Sequence, residues 1–179
     1  MSVENGKPLS KPEFIIYDNC WGDFFENGMV RCKAELSCHP DTCYLNCALQ
    51  GPNVAEDRDG LHPGATVTTY DQDNDGDKDL LLGNVSYPCI GMMYNGGTPQ
   101  NAWMTAQDTS FPSYNVPVEL NSFPATYYLD FENDGKKDLI VALNNPTSGE
   151  DRKSVWYYKN TATVPGQHYF ELQSKDLFI

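Results

Sequence analysis

The stretch "DQDNDGDKDLLLG" (residues 71–83) sets aspartates on alternate positions and then breaks into three leucines. Numbered from Asp71, carboxylates fall at positions 1, 3, 5, 7 and 9 (Asp71, Asp73, Asp75, Asp77 and Asp79), with Gly76 at position 6. Calcium takes six to eight oxygen ligands at about 2.3–2.6 Å, and a chain curling around the ion supplies them from alternate residues. Glycine at position 6 permits the sharp turn this requires. A plain Asp-Gly hairpin turn is the simpler reading, but it would leave five like charges repelling one another with nothing in return. An EF-hand needs a bidentate glutamate at position 12 and a helix on each side. Position 12 is Leu82 and residues 80–82 read as a strand, which also disfavours a dockerin loop. The ion is therefore expected to be closed by Asp79. Asp77, at position 7, is expected to offer its backbone carbonyl and leave its carboxylate free.

The pattern returns. "GATVTTYDQDNDGDKDLLLGNV" (64–85) matches "PATYYLDFENDGKKDLIVALNN" (124–145), with Asp71 and Asp130 59 residues apart. The second loop keeps Asp130, Asp134, Gly135 and Asp138 but carries Glu132 at position 3 and Lys136 and Lys137 at positions 7 and 8. A longer acid and two lysines predict a weaker calcium site. Downstream, "IGMMYNGG" (90–97) matches "SVWYYKNT" (154–161), and each is followed by a polar stretch and another aromatic segment. The start of the chain, "ENGKPLSKPEFIIYDN" (4–19), reads as a third copy of such a tail. Asn5 and Asn95 are 90 positions apart, whereas Asn95 and Asn160 are 65 apart. The surplus falls where the cysteines cluster.

Each unit thus reads as four short strands between turn residues, with no helical period. Such units, repeated, predict an all-β fold: a partial β-propeller of about two four-stranded antiparallel blades plus a blade tail, with calcium-binding hairpin loops. Residues 1–27 are the tail of a preceding blade, 28–58 a Cys-rich insertion, 59–120 a blade with calcium loop 71–79, and 121–179 a blade with loop 130–138. A closed ring takes about 4–8 blades. The chain is therefore expected to be an arc whose remaining blades belong to a longer parent protein.

D-x-D-x-D-G-D-x-D-L at 71–80 and D-x-E-x-D-G-x-x-D-L at 130–139 resemble the FG-GAP/VCBS-type repeats of the integrin-alpha-like β-propeller superfamily, common in secreted and cell-surface bacterial proteins. The resemblance covers roughly residues 60–179 and the fragment 1–20. It implies two calcium ions. Asp71, Asp73, Asp75 and Asp79 would ligate the first through side chains and Asp77 through its carbonyl. Asp130, Glu132, Asp134, Asp138 and the Lys136 carbonyl would ligate the second. The Phe-Gly and Gly-Ala-Pro landmarks are missing, so the VCBS-like subtype fits better and the analogy to integrin ligand binding is weakened. The Cys-rich insertion has no counterpart in the repeat.

The remaining composition narrows the function. Of 179 residues 40% are apolar, enough for a core at this length, and 25 acids against 12 Lys+Arg give a net charge of −13. That balance argues against nucleic acid, whose phosphates need clustered Lys and Arg. No apolar run approaches the roughly 20 residues of a membrane span. The N-terminus "MSVENGKPLSKPEF" has neither the basic nor the apolar region of a signal peptide, as expected of a piece cut from a larger protein. Cys20, Cys32, Cys38, Cys43 and Cys47 crowd the first part of the chain, with Cys89 beyond, in a spacing unlike the paired knuckles of a zinc ribbon. Disulfides are the favoured reading, free thiols or a zinc site with His39 the alternatives, and the spacing does not choose a pairing.

No nucleophile elbow, zinc-protease motif or phosphate loop is present, and His39, His62 and His168 read as isolated surface or turn residues. The expectation is a non-enzymatic, calcium-binding module of a secreted or cell-surface protein, acting in adhesion or ligand binding toward a protein or glycan, or as a scaffold. The alternative is a carbohydrate-binding or polysaccharide-processing propeller in which Trp21, Trp103 or Trp156 stacks on sugar rings. Trp156, mid-strand, is expected in the core.

Overall fold

Strands arise where β-branched, aromatic and leucine residues run between Asp-Gly and Asn-Gly turns, and they come in the same order twice. The computed structural model describes residues 3–4, 7–8, 20–26, 31–40, 64–121, 123–145 and 152–178, and these contain strands but no α-helix. Short pairs come first: β1 (Val3–Glu4) with β2 (Lys7–Pro8), and β3 (Phe24–Phe25) with β4 (Glu35–Leu36). The first large sheet is β5 (Ala65–Tyr70), β6 (Asp79–Asn84), β7 (Ile90–Asn95) and β8 (Met104–Asp108), each antiparallel to the next. The second repeats it with β9 (Pro124–Leu129), β10 (Asp138–Leu143), β11 (Val155–Asn160) and β12 (Phe170–Ser174). The all-β reading and the four-stranded antiparallel units are thus observed. Residues 9–19 of the third tail copy and 41–58 of the Cys-rich insertion, with Cys43 and Cys47, lie outside the described residues, as does His62.

The two sheets share one core. Tyr70, Leu81 and Met92 from the first meet Leu139, Val141, Trp156, Tyr158 and Phe170 from the second, and Phe111, Val118 and Leu120 from the β8–β9 connection close the cluster. Trp156 is in the core, as its mid-strand position predicts. β6 is buried on both faces. Leu81 points into this core, while Leu80 joins Met93, Met104 and Ala34 in a second cluster, against which Phe24 and Leu36 of the short strands pack. The N-terminal segment therefore covers one face of the first sheet and the second sheet covers the other.

Cys32 is disulfide-bonded to Cys89, just before β7, so that staple ties the cysteine-rich segment to the first sheet and not only to itself. Cys20 and Cys38 are also in disulfides, which removes these thiols from any zinc site with His39. Gln107 accepts from the Ala34 amide and donates to the Ala34 carbonyl at 3.0 and 2.9 Å. Arg31 pairs with Glu119 across the same junction.

The seam between sheets runs along β5 and β9. The Thr66 and Thr68 hydroxyls donate to the carbonyls of Pro124 (2.6 Å) and Thr126 (2.7 Å), and Tyr70 stacks on Tyr128 at 4.6 Å between ring centroids. Val67, on the opposite face of β5, is 61% exposed, so alternation alone selects the seam residues. Gly83 completes the seam: a Cβ there would stand far inside contact distance of the Pro124 carbonyl and the Thr66 hydroxyl. A Gly83→Ala protein is expected to lose about 1–3 kcal/mol of unfolding free energy through this overpacking, read by urea denaturation. Wild-type stability in that variant would show that β6 and β9 are not held at this spacing.

Candidate metal centre

Both acidic loops are built by the same hydrogen bonds. In the first, the Asp71 carboxylate accepts from the amides of Asp75 (3.1 Å) and Gly76 (3.0 Å), and Asp75 accepts from the amide of Asp77 (3.0 Å). In the second, Asp130 accepts from Asp134 (3.0 Å) and Gly135 (2.9 Å), and Asp134 from Lys136 (2.9 Å). Asn74 and Asn133 take left-handed backbone (φ 65° and 58°), as do Gly76 and Gly135 (φ 99° and 86°). Asparagine and glycine are the residues that adopt this conformation at least cost.

The last carboxylate of each loop closes it onto a distant strand. Asp79, fully buried, accepts from the Gln72 amide at 2.6 Å and the Asn95 amide at 2.8 Å. Asp138 accepts from Phe131 at 3.2 Å and Asn160 at 2.9 Å. The Asn95 and Asn160 side chains carry the link on: Asn95 Oδ1 accepts from Gly97 and Trp103, and Asn160 Oδ1 from Ala162 and Tyr169. These two asparagines end their strand motifs in both repeats, the signal by which a sequence reading could have singled them out.

The loops diverge in how their charge is arranged. Oxygens of Asp71, Asp73 and Asp79 come within 4.8 Å of one another, the one such acidic set among the described residues. Ligands of a single calcium lie up to about 5 Å apart, twice the metal–oxygen distance, so the spacing fits. Asp77, expected to leave its carboxylate free, instead buries it: the residue is 3% exposed and Oδ1 has no hydrogen-bond partner. Burial first, then the charges of Asp75, Asp79 and Asp73, push its carboxyl up to about 6. Burial also raises Asp79, against the pull of its two amide donors. A buried carboxylate with one oxygen unpartnered, among three others, is costly, and a divalent cation is the group that would relieve it. The residues fit calcium.

The second loop brings no comparable set together. Residues 131–137 are exposed, Lys136 standing where Asp77 does in the first loop. Glu132 pairs with Lys159 of β11, whose Nζ also lies 4.0 Å from Asp134 Oδ2. Lys136 turns away to donate to the Ala162 carbonyl at 2.8 Å, and Lys137 sits 5.1 Å above the Tyr128 ring. Lys159 is 65 positions beyond Tyr94.

The first loop also grips the second sheet. Gln72 accepts from the Tyr70 hydroxyl at 2.5 Å and donates to the His168 carbonyl at 3.1 Å, and His168 Nε2 bonds to the Tyr128 hydroxyl. His168 is therefore no isolated turn residue: it lies half-buried against Tyr70, Tyr128 and Phe170. His39 is exposed. Of the tryptophans weighed for sugar stacking, Trp156 is buried, Trp103 donates its indole N–H to the Ser37 carbonyl at 3.1 Å, and Trp21 is 41% exposed.

No protein-family model, curated protein or solved structure matches this chain. The assignment rests on its own geometry.

Burial lowers the His168 pKa, outweighing its partner Gln72 and nearby Asp71, with Lys78 adding to the depression. The unfolded chain therefore takes up the proton first as pH falls through about 6.5, and stability present above that pH is lost below it. Asp77, whose carboxyl burial raises to about 6, titrates in the same window with the opposite sign, so thermal melts with chelator between about pH 7.5 and 5 read this loss as the difference in slope between wild type and His168→Gln. An unchanged slope in that variant would assign the loss to other groups.

Proposed function

We propose that the chain is a calcium-binding arc of a β-propeller from a secreted or cell-surface protein, in which the ion at residues 71–79 fixes one loop and the seam behind it. The observation that carries this reading is Asp77, a buried carboxylate oxygen with no partner beside the close set of Asp71, Asp73 and Asp79. Calcium, a hard cation, would be held by these side chains with Asp75, and would supply the positive charge the loop lacks. Two repeated four-stranded meanders packed through one core support the propeller reading. The Cys32–Cys89 disulfide supports an oxidising compartment. The role is adhesion, ligand binding or scaffolding: calcium acts on the shape and stability of the surface that meets a protein or glycan. The carbohydrate alternative rests on Trp21, the exposed tryptophan of the three considered.

Asp73 tests the metal cleanly, since its carboxylate takes no part in the hydrogen bonds that build the loop. Calcium at about a hundred times its Kd is expected to add about 2.7 kcal/mol of stability to the wild type, seen as a higher Tm than in chelator. Asp73→Asn should lose that gain, yet melt in chelator no lower than the wild type, because one like charge has gone. A full calcium response in Asp73→Asn would sink the assignment.

A further inference from the structure

We propose that Lys159 is the resident cation of the second loop, standing where the metal stands in the first, so that the chain binds one calcium and not two. This rests on the calcium reading of the first loop. Tyr94 and Lys159 hold the same place in their sheets: each precedes the asparagine whose amide donates to the closing carboxylate, Asn95 to Asp79 and Asn160 to Asp138. In the first sheet that place holds a phenol, half-buried against the core, with Asp108 the strongest of its charged neighbours and Asp79 and Asp73 next. In the second it holds an ammonium paired with Glu132 and 4.0 Å from Asp134.

Three consequences agree. The first loop carries five aspartates against Lys78, whereas the second carries four carboxylates against Lys136 and Lys137, and Lys159 adds a third positive charge from outside. Glu132 is held by Lys159 and joins no close acidic set with Asp130 and Asp138, unlike Asp73 with Asp71 and Asp79. Lys136 and Lys137 are directed to Ala162 and Tyr128, leaving Lys159 as the ammonium directed at the loop's acids. A calcium ion entering there would have to displace an ammonium already paired with its ligands. Glutamate in place of aspartate at position 3 also fits this role, its extra methylene extending its reach toward β11.

The test is calorimetric titration of the full chain with calcium chloride. Wild type is expected to bind one ion. Lys159→Tyr, which copies the first sheet, and Lys159→Met, which keeps the alkyl stem without the charge, are each expected to bind two. Adding Asp73→Asn to either variant should return the count to one, now at the second loop. Two ions in the wild type, or a count of one that persists in both Lys159 variants, overturns this proposal and leaves the first site standing. No binding to wild type overturns both.

Discussion

A buried carboxylate tied to backbone amides on both sides is the constraint on which each sheet depends. Asp79 and Asp138 begin β6 and β10, yet each reaches back to the second residue of its own loop and across to the last residue of the third strand. One side chain thereby fixes the turn, the start of the second strand and the end of the third. Desolvating a carboxylate is expensive unless it is hydrogen-bonded, and two amide donors apiece meet that requirement. An apolar residue would fill the space but leave two amides without acceptors, so the position demands an acceptor on a short stem. The neighbouring asparagines extend the knot to the next connection, so four strands are held by two side chains.

Satisfying the closing carboxylate does not neutralise the rest of the loop, and the two repeats solve that problem differently. In the first, charge accumulates: Asp77 is turned inward, its carboxyl raised by burial and by Asp75, Asp79 and Asp73. Such an arrangement is uphill alone and favourable around a divalent ion. In the second, Asp77 gives way to Lys136, the loop stays exposed, and β11 lends Lys159 to Glu132. The backbone hydrogen bonds are the same in both. What differs is the source of the positive charge, and that is decided by a handful of side chains on an unchanged frame.

Much of this frame is legible in the sequence because strand and turn signals are local. The 59-residue offset between Asp71 and Asp130, and the 65-residue offset between Asn95 and Asn160, give the two sheets and their strand order directly. Long-range choices are not legible in that way. The pairing of Cys32 with Cys89 depends on the N-terminal segment lying over the first sheet, which no spacing encodes. Asp77 alternates with its neighbours like any ligand, and only the fold shows that its side chain is buried. Lys159 was readable in principle: aligning "SVWYYKNT" and "IGMMYNGG" on their asparagines, Asn160 on Asn95, sets it against Tyr94, but nothing local says that this position faces an acidic loop. His168 was hidden for the same reason, since its partners come from the loop and strands of both sheets.

The seam explains why an ion at one loop would matter beyond that loop. Gln72 sits between two acidic positions, and its side chain bridges the Tyr70 hydroxyl on its own sheet and the His168 carbonyl on the other. Asn74 in the same loop lies against Gly166, where a Cβ would collide with its amide. Fixing residues 71–79 therefore fixes both contacts, whereas a loop splayed by its own charge would withdraw them from the aromatic stack of Tyr70, Tyr128 and His168. Below that stack the threonine hydroxyls and the close approach at Gly83 are independent of charge and hold the sheets together in any case. The loop thus adjusts one end of the seam and leaves the other alone, so an ion held there would act on the geometry of the exposed surface around residues 162–169 more than on the existence of the fold.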